Sequence, residues 1–294
     1  MLLLTGATGL VGRALLRRLT AAGTPVRCLV RDPRRLGRER VRVQIALGDL
    51  ADPQSFRNAL RGVDVVVHLA ATIRDQPRGS IEELNGIATW RMVEAAGRAG
   101  VERFVFFSAL GASTHDRTRV LRAKAVAEEA VRSGPVGSVV VAPSLIYAPG
   151  DPWLRLVSRL SLLPVMPISG RGRAVFEPIW AEDVAECVVR ILEGPAAGAR
   201  RVELAGPERL TQAEIVRITL RSLGKRRLVV GVPTPIVSRA LRVLEVLAKS
   251  RAFATWDEAE LLEVSMTSAN GTADAERLGV FPRSMAAVLG VGAG

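Results

Sequence analysis

The sequence predicts an α/β fold: a doubly wound parallel sheet covered by helices on both faces, with a smaller, mostly helical C-terminal lobe. Three observations predict it. Short apolar runs alternate with helical patterns through the first half of the chain. Two of those runs, Val63-Asp-Val-Val-Val-His-Leu69 and Val101-Glu-Arg-Phe-Val-Phe-Phe107, are almost continuously apolar, as strands covered on both faces require. The opening residues Leu2–Thr5 run into glycines at Gly6, Gly9 and Gly12 and then an amphipathic stretch, the pattern of a buried strand, a tight turn and a helix.

Taken in order, strands are expected at Leu2–Thr5, Val26–Val30, Val41–Leu47, Val63–Leu69, Val101–Ser108 and Ser138–Ala142. Helices are expected between them at Leu10–Ala22, Pro53–Leu60, Ile81–Ala99 and Thr118–Arg132. Past Pro143 the pattern loosens. Pro149-Gly-Asp-Pro152 signals a turn, Trp153–Leu163 is amphipathic, and a Pro/Gly-rich loop runs to Arg173. Val175–Trp180 reads as a strand and Ala181–Leu192 as a helix opening on two acids, as the macrodipole prefers. A strand at Arg201–Leu204, a helix at Thr211–Leu223 and a strand at Arg227–Val232 follow, and the remainder from Pro233 reads as mostly helical. Residues 1–145 are therefore read as the core, with a later portion (about 175–205) returning to it, and residues 146–294 as the smaller lobe.

The glycines carry the first chemistry. A helix N-terminus approached closely by backbone binds pyrophosphate through free N–H donors and the positive end of the macrodipole. Gly6 allows the turn, Gly9 the approach of phosphate, and Gly12 the packing of helix on strand, the arrangement of a dinucleotide-binding Rossmann unit. Where the second strand ends, an acid suits a free ribose 2′-hydroxyl and an arginine suits a 2′-phosphate. Here Arg31 ends the apolar run and Asp32 follows before Pro33, with Arg34 or Arg35 just beyond and Arg13 at the start of the first helix as further candidates for a phosphate pocket. Guanidinium binds phosphate oxygens bidentately, so NADP(H) is favoured, with NAD(H) as the alternative. Asp49, in Gly48-Asp-Leu50 after the third strand, is placed to accept from an adenine amino group, although an Asp in a turn is common without any ligand. The small residues of His68-Leu-Ala-Ala71 let a cofactor lie against the backbone, whereas His68 itself reads as a core histidine.

Bulk properties exclude little. The chain has 294 residues, 48% of them hydrophobic and 24% charged, ordinary for a folded chain with a sizeable core. The formal net charge is +12, yet the arginines are spread along the chain and no nucleic-acid motif accompanies them, so no nucleic-acid partner is expected; affinity for polyanions or an anionic membrane surface, on charge alone, is the lesser reading. Cys28 and Cys187 sit far apart in apolar contexts and read as core residues, with no disulfide or metal site. The first strand begins at Met1 and the apolar stretches are too short to span a bilayer; a cytoplasmic location is expected.

These features together resemble the short-chain dehydrogenase/reductase superfamily. The resemblance rests on Thr5-Gly-Ala-Thr-Gly-Leu-Val-Gly12, Gly48-Asp-Leu50, His68-Leu-Ala-Ala71, Asn85 and Phe104-Val-Phe-Phe-Ser108. Ala123-Lys124-Ala-Val-Ala-Glu-Glu129, Pro143-Ser-Leu-Ile-Tyr147, Gly150-Asp151, Val175–Val184 and Ala205–Thr211 narrow it to extended or atypical members. Those members are of the epimerase/dehydratase-like kind, related to the NADPH-binding accessory subunit of respiratory complex I.

The resemblance implies that Thr5, Gly6, Thr8, Gly9, Leu10, Val11, Gly12, Arg31, Asp49, Leu50, Leu69, Ala70, Ala71, Lys124 and Pro143 contact the dinucleotide. It also implies a catalytic pattern in which a tyrosine stands four residues before the lysine that holds the ribose. Lys124 is present, but the tyrosine position is Val120, which has no proton to give. The family's catalytic hydroxyl would fall nearer Leu110, with Ser108 before it and Ser113 and Thr114 beyond. Tyr147 is the chain's only tyrosine and lies after the sixth strand.

Two hypotheses follow. In one, the protein is an oxidoreductase in which Ser108, Tyr147, His115 or water replaces the missing phenol. In the other it is a non-catalytic module that holds the nucleotide as a structural or redox-sensing ligand in a respiratory or quinone-linked assembly. A polar room above the nicotinamide would favour the first, and Val120 favours the second. Outside this site, Ser113, His115 and Asp116 read as a solvated loop, and Glu177, Glu182 and Asp183 as helix-starting acids. Apolar residues at helical spacing over Pro233–Lys249 suit a helix on its own domain, or else a face that docks on a membrane or a partner subunit.

Overall fold

Leu3 and Leu4 point to opposite faces of their strand, and neither is exposed at all; this strand is the middle of a sheet. The structure, a computed structural model, describes residues 1–194, 200–233 and 256–291. The first half runs β1 (Leu2–Thr5), α1 (Leu10–Ala21), β2 (Val26–Val30), β3 (Gln44–Leu47), α2 (Pro53–Arg57), β4 (Val65–His68), α3 (Ala88–Arg98), β5 (Arg103–Phe107), α4 (Arg119–Arg132) and β6 (Gly137–Pro143). The second half continues with β7 (Ile146–Tyr147), α5 (Pro152–Leu160), β8 (Val165–Ser169), β9 (Val175–Phe176), β10 (Ile179–Trp180) and α6 (Ala181–Glu193). After these come β11 (Arg200–Leu204), β12 (Leu210–Thr211), α7 (Gln212–Ser222) and β13 (Leu228–Val232). Short helices at Trp256–Leu261, Ala273–Arg277 and Met285–Val288 follow among the described residues.

Seven parallel strands form the main sheet in the order β11-β6-β5-β4-β1-β2-β3. The chain winds outward from β1 to β3, then returns to lay β4 on the other side of β1. Outside the carboxyl ends of β1 and β4, where the winding reverses, such a sheet leaves a crevice for a ligand. One face buries Leu4, Leu15, Cys28 and Val67 against α1 and α6, whose Val184 and Val188 are fully buried. The opposite face buries Leu3, Phe56, Val66, Met92 and Phe104. Burial of this extent, at about 25 cal/mol per Å² of apolar surface, is the main force holding the sheet. Because α6 packs on the sheet and β11 joins it, the second half of the chain completes the core.

The smaller lobe pairs β8 with β13 in parallel and packs Met166 and Ile168 against Val157, Val216 and Leu220. A second cluster joins Tyr147, Phe176, Ile215 and Met266 beneath it.

Several boundaries differ from those expected. Residues Pro33–Arg42 form 3₁₀ turns, so the third strand starts only at Gln44. The helix expected at Ile81–Ala99 is interrupted by a π-helical turn over Glu83–Ile87. The stretch Val175–Trp180 is two strands, parted at Glu177-Pro178. Val165–Ser169, expected as loop, is a strand; its Pro167 is tolerated because a two-stranded sheet leaves an open edge. The amphipathic run over Pro233–Lys249 lies, beyond Pro233, outside the described residues.

Candidate nucleotide site

The turn after β1 is built by two steric demands. Gly6 has φ +71°, and a Cβ there would lie 2.6 Å from the amide nitrogen of Ala70. A Cβ on Gly12 would lie 2.1 Å from the Gly6 carbonyl oxygen. Only glycine permits this closeness. The Gly9 amide donates to the Gly6 carbonyl at 2.9 Å, and α1 starts at once with no side chain capping it. The amides of the first turn are therefore presented to whatever lies in the crevice, and the residues fit a dinucleotide pyrophosphate.

The crevice is a cleft of about 360 Å³ lined at this end by Thr5, Gly6, Ala7, Thr8 and Gly9. Its opposite wall is Leu69, Ala70, Ala71 and Thr72, and its outer end is Arg31, Asp32, Arg35, Gly48, Asp49 and Leu50. Of the sequence-derived cofactor residues, Leu10, Val11, Gly12, Lys124 and Pro143 do not line this cleft. Leu10 to Gly12 stand behind it as the first turn of α1.

His68 holds the two walls together. Its Nδ1 lies 2.9 Å from the Thr5 hydroxyl, which accepts from the Ala70 amide at 3.2 Å. Its Nε2 lies 3.2 Å from the Thr89 hydroxyl, which donates to the Asn85 carbonyl at 2.7 Å. Because the Thr89 proton is already given to Asn85, Nε2 must carry the ring proton, and Nδ1 must accept from Thr5. The ring is thus neutral in one tautomer. Complete burial, with the Lys124 ammonium as a smaller cause, lowers its pKa from 6.5 to about 3. His68 is a structural histidine, as its apolar strand implied.

Asn85 extends the network. Its side chain accepts from the Thr72 amide at 2.9 Å and donates to the Thr72 carbonyl at 2.7 Å, fixing the end of the 69–72 wall. This exchange sits in the π-helical turn, a distortion often found at functional sites. Thr72 and Gln76 line the cleft with no signal in the sequence, because residues remote in sequence hold their loop. Arg119 on α4 grips Asp75 at 2.9 Å and Glu82 at 2.7 Å, and Arg74 reaches Glu258. Hydrogen bonds from Arg119 lower both the Asp75 and Glu82 carboxyls, Glu82 to about 2.

At the outer end, Arg31 and Arg35 make no ion pair among the described residues, and both are exposed. Asp32 is otherwise engaged: its Oδ1 accepts the Arg34 amide at 3.0 Å and caps the 3₁₀ turn. Asp49 likewise accepts the Ala51 amide at 3.1 Å, with Arg78 3.7 Å from its other oxygen.

The inner end is less polar than a proton-relay site. Lys124 is buried, donates from Nζ to the Phe107 carbonyl and lies 4.9 Å from the centroid of the Phe106 ring. Burial lowers its pKa from 10.5 to about 8, while Glu128 works in the opposite direction. Val120 packs with Ile81 and Ala123, with Leu261 against them, so apolar side chains occupy the motif's tyrosine position. The hydroxyl of Ser108, buried at the end of β5 next to Phe107, has no hydrogen-bond partner among the described residues. Tyr147 is drawn instead into the core of the smaller lobe with Phe176 and Met266. Its hydroxyl has no hydrogen-bond partner among the described residues, and burial raises its pKa. Pro143 ends β6, and its carbonyl accepts the Leu110 amide at 2.9 Å.

The other polar candidates are structural. Glu177 accepts the Ser268 amide at 2.7 Å and pairs with Arg209 at 3.0 Å. Asp183 accepts the Arg283 amide at 2.9 Å, and Glu182 pairs with Arg17 and Arg18. His115 sits in an exposed loop. Both cysteines are free and buried, with burial pushing each thiol up to about 12. Among the described residues there is no cluster that could hold a metal ion. None of their helices is long and apolar enough to cross a membrane.

Comparison with known proteins adds the family. Residues 6–195 match the model of a family described as NAD(P)H-binding. A ceramide reductase of Caulobacter vibrioides is 31% identical over 236 residues, covering 79% of this chain and 73% of that protein. NADH dehydrogenase [ubiquinone] 1 alpha subcomplex subunit 9, mitochondrial, of Arabidopsis thaliana is also 31% identical, over 79% of this chain but 60% of its own length. Among solved structures, a nucleoside-diphosphate-sugar epimerase from Staphylococcus aureus superposes with a TM-score of 0.78 at 19% identity, covering 98% of this chain and 99% of that one. With the phosphate cradle built and the tyrosine position filled by Val120, the chain belongs to the NAD(P)H-binding family as an atypical short-chain dehydrogenase/reductase of epimerase-like fold.

Proposed function

We propose that this protein binds NADP(H) in preference to NAD(H), and holds it without tyrosine-assisted turnover. One observation carries the cofactor preference: Arg31 and Arg35 face the outer end of the cleft without an ion pair among the described residues, while Asp32 has one oxygen engaged in a cap. A 2′-phosphate placed there meets two guanidinium groups, and each charge-assisted contact is worth about 1.5–3 kcal/mol. Arg31→Ala tests it. NADPH affinity falls by about ten- to a hundredfold and NADH affinity changes by less than about twofold. Equal losses for both nucleotides would remove the 2′-phosphate role.

The absence of turnover rests on the apolar contacts of Val120. A bound nicotinamide supplies or accepts hydride, and the protein's share of such chemistry is to hold the ring and exchange a proton with the substrate oxygen. Val120 exchanges none.

A second reading is favoured by the unpartnered hydroxyl of Ser108 beside the carbonyl that Lys124 holds. An orphan buried hydroxyl costs stability, and a catalytic role is one reason for such a group. On this reading the protein is a reductase in which Ser108, backed by the Lys124 ammonium, donates the proton. The reductase among its relatives supports it. Steady oxidation of NADPH with an apolar carbonyl compound, lost in Ser108→Ala, would establish this reading over the first.

A further inference from the structure

The positive charge that looks dispersed in the sequence is concentrated by the fold. The two stretches that build the β8–β13 unit, residues 152–173 and 215–233, contain Arg155, Arg159, Arg171 and Arg173, and Arg217, Arg221, Lys225, Arg226 and Arg227. Neither stretch contains a single Asp or Glu. Among the described residues, Arg155, Arg159, Arg217, Arg221 and Arg226 form no ion pair.

The same unit has an apolar side on which Val165, Leu228 and Val230 are exposed, and at its far end Ser169 donates from its hydroxyl to Glu263 at 2.6 Å. In the parallel register Val165 stands beside Leu228, Pro167 beside Val230, and Ser169 beside Val232. Met166 and Ile168 face inward, so these three pairs share the outer face, where a solvated sheet would be polar. Leu228 is 70% exposed, and Leu162 on the turn leading into β8 is 75% exposed. That turn is held in place. Arg227 Nε donates to the carbonyls of Ser161 at 3.1 Å and Leu163 at 3.0 Å, and Lys225 Nζ reaches the Ser161 hydroxyl at 3.1 Å. The leucines are thus presented outward on a fixed turn, with Lys225 and Arg226 adjoining them.

A cleft of about 540 Å³ lies along α7, the helix that covers the inner face of the pair, and is lined by Arg217, Arg221, Lys225, Arg226 and Arg227 together with Glu208 and Glu214. The two acids on its wall are committed elsewhere. Glu208 accepts the Met285 amide at 2.8 Å, and Glu214 closes the N-cap of α7 with Thr211.

We propose that the outer face of the β8–β13 pair, with its 161–163 turn, docks on an anionic lipid surface. Apolar tips enter the interface while Lys225 and Arg226 beside the turn, and the α7 arginines at the edge of the unit, meet headgroup phosphates, a combination that neither a neutral bilayer nor a soluble polyanion satisfies in full. A second copy of the chain fits less well, because two such faces would bring their unpaired cations together.

Flotation of the full chain with vesicles tests this, using phosphatidylcholine alone and phosphatidylcholine mixed with phosphatidylglycerol. The protein is expected to float with the anionic vesicles at least about tenfold better than with the neutral ones, and less well at high salt. Leu162→Ser with Leu228→Ser, and separately Arg221→Glu with Arg226→Glu, each reduce flotation about tenfold while NADPH affinity and Tm stay unchanged, which reports intact folding. Equal flotation with both vesicle types, or none, overturns the proposal. So does a dimer in sedimentation velocity that the leucine variants dissociate. Binding to free nucleic acid that the arginine variants abolish and the leucine variants leave intact overturns it as well.

Discussion

Thr5 and His68 stand side by side at the carboxyl ends of β1 and β4, joined by a 2.9 Å hydrogen bond between Oγ1 and Nδ1. This bond crosses the point where the sheet's winding reverses, and it fixes the glycine turn relative to the 69–72 wall. The chain of donors runs one way on each side of the ring: Ala70 amide to Thr5 to Nδ1, and Nε2 to Thr89 to the Asn85 carbonyl. No extra proton fits into it.

That arrangement sets a pH dependence. The unfolded chain takes up a proton on His68 near pH 6.5, whereas the folded ring stays neutral down to about 3. The folded state therefore loses stability as pH falls below 6.5, by about 1.4 kcal/mol per pH unit. Urea unfolding between pH 6.5 and 5, above most carboxylate titrations, shows this slope in the native protein and its absence in His68→Asn. Identical slopes in the two proteins would mean that the ring titrates freely.

Gly12→Ala places a methyl 2.1 Å from the Gly6 carbonyl oxygen, and backbone has to move to admit it. A loss of about 3 kcal/mol and of measurable nucleotide binding is expected. Gly23→Ala is the control. It also sits at positive φ, +70°, but nothing lies within 4 Å of the new Cβ. It costs about 1 kcal/mol and leaves binding intact. Equal effects on binding would sink the phosphate-cradle account.

Lys124 separates stability from affinity. Its folded pKa is about 8 against an ordinary 10.5, so burying the charged form destabilises the protein below pH 8, and that cost lifts as pH rises from 8 towards 10.5. Lys124→Met removes the charge. At pH 7 the apo variant is expected to melt no lower than the native protein, and the native protein regains ground on it between pH 8 and 9.5. Under the ribose-holding role that the family resemblance implies for Lys124, NADPH affinity nevertheless falls about tenfold. A variant that melts lower and binds normally would make Lys124 a structural residue only.

Ser108→Ala removes a hydroxyl with no hydrogen-bond partner among the described residues, so its stability changes by less than about 1 kcal/mol and NADPH affinity is kept. Thermal melts and titrations check both. A large loss of stability would show that the hydroxyl has a partner after all.

Much of this was legible in the residues. The Gly6, Gly9 and Gly12 spacing, the apolar strands and the arginine after β2 are local signals, and local signals survive in a single sequence. Residues set by distant contacts were not legible. Thr72 and Gln76 line the cleft only because Asn85 and Arg119 hold their loop from further along the chain. Strand β8 carries Pro167 and finds its partner some sixty residues later at β13, so no local pattern announced it. Tyr147 looked available as the only tyrosine, yet the core of the smaller lobe claims its ring. The charge of +12 looked uniform until folding gathered residues 152–173 and 215–233 into one unit.

The central claim is a cleft whose glycine cradle holds pyrophosphate and whose outer arginines choose the 2′-phosphate. Titration calorimetry of the native protein with NADPH and NADH under identical conditions tests it most directly. The account predicts that NADPH binds at least about tenfold more tightly, a difference of about 1.4 kcal/mol or more. Equal affinities, or tighter binding of NADH, would contradict it.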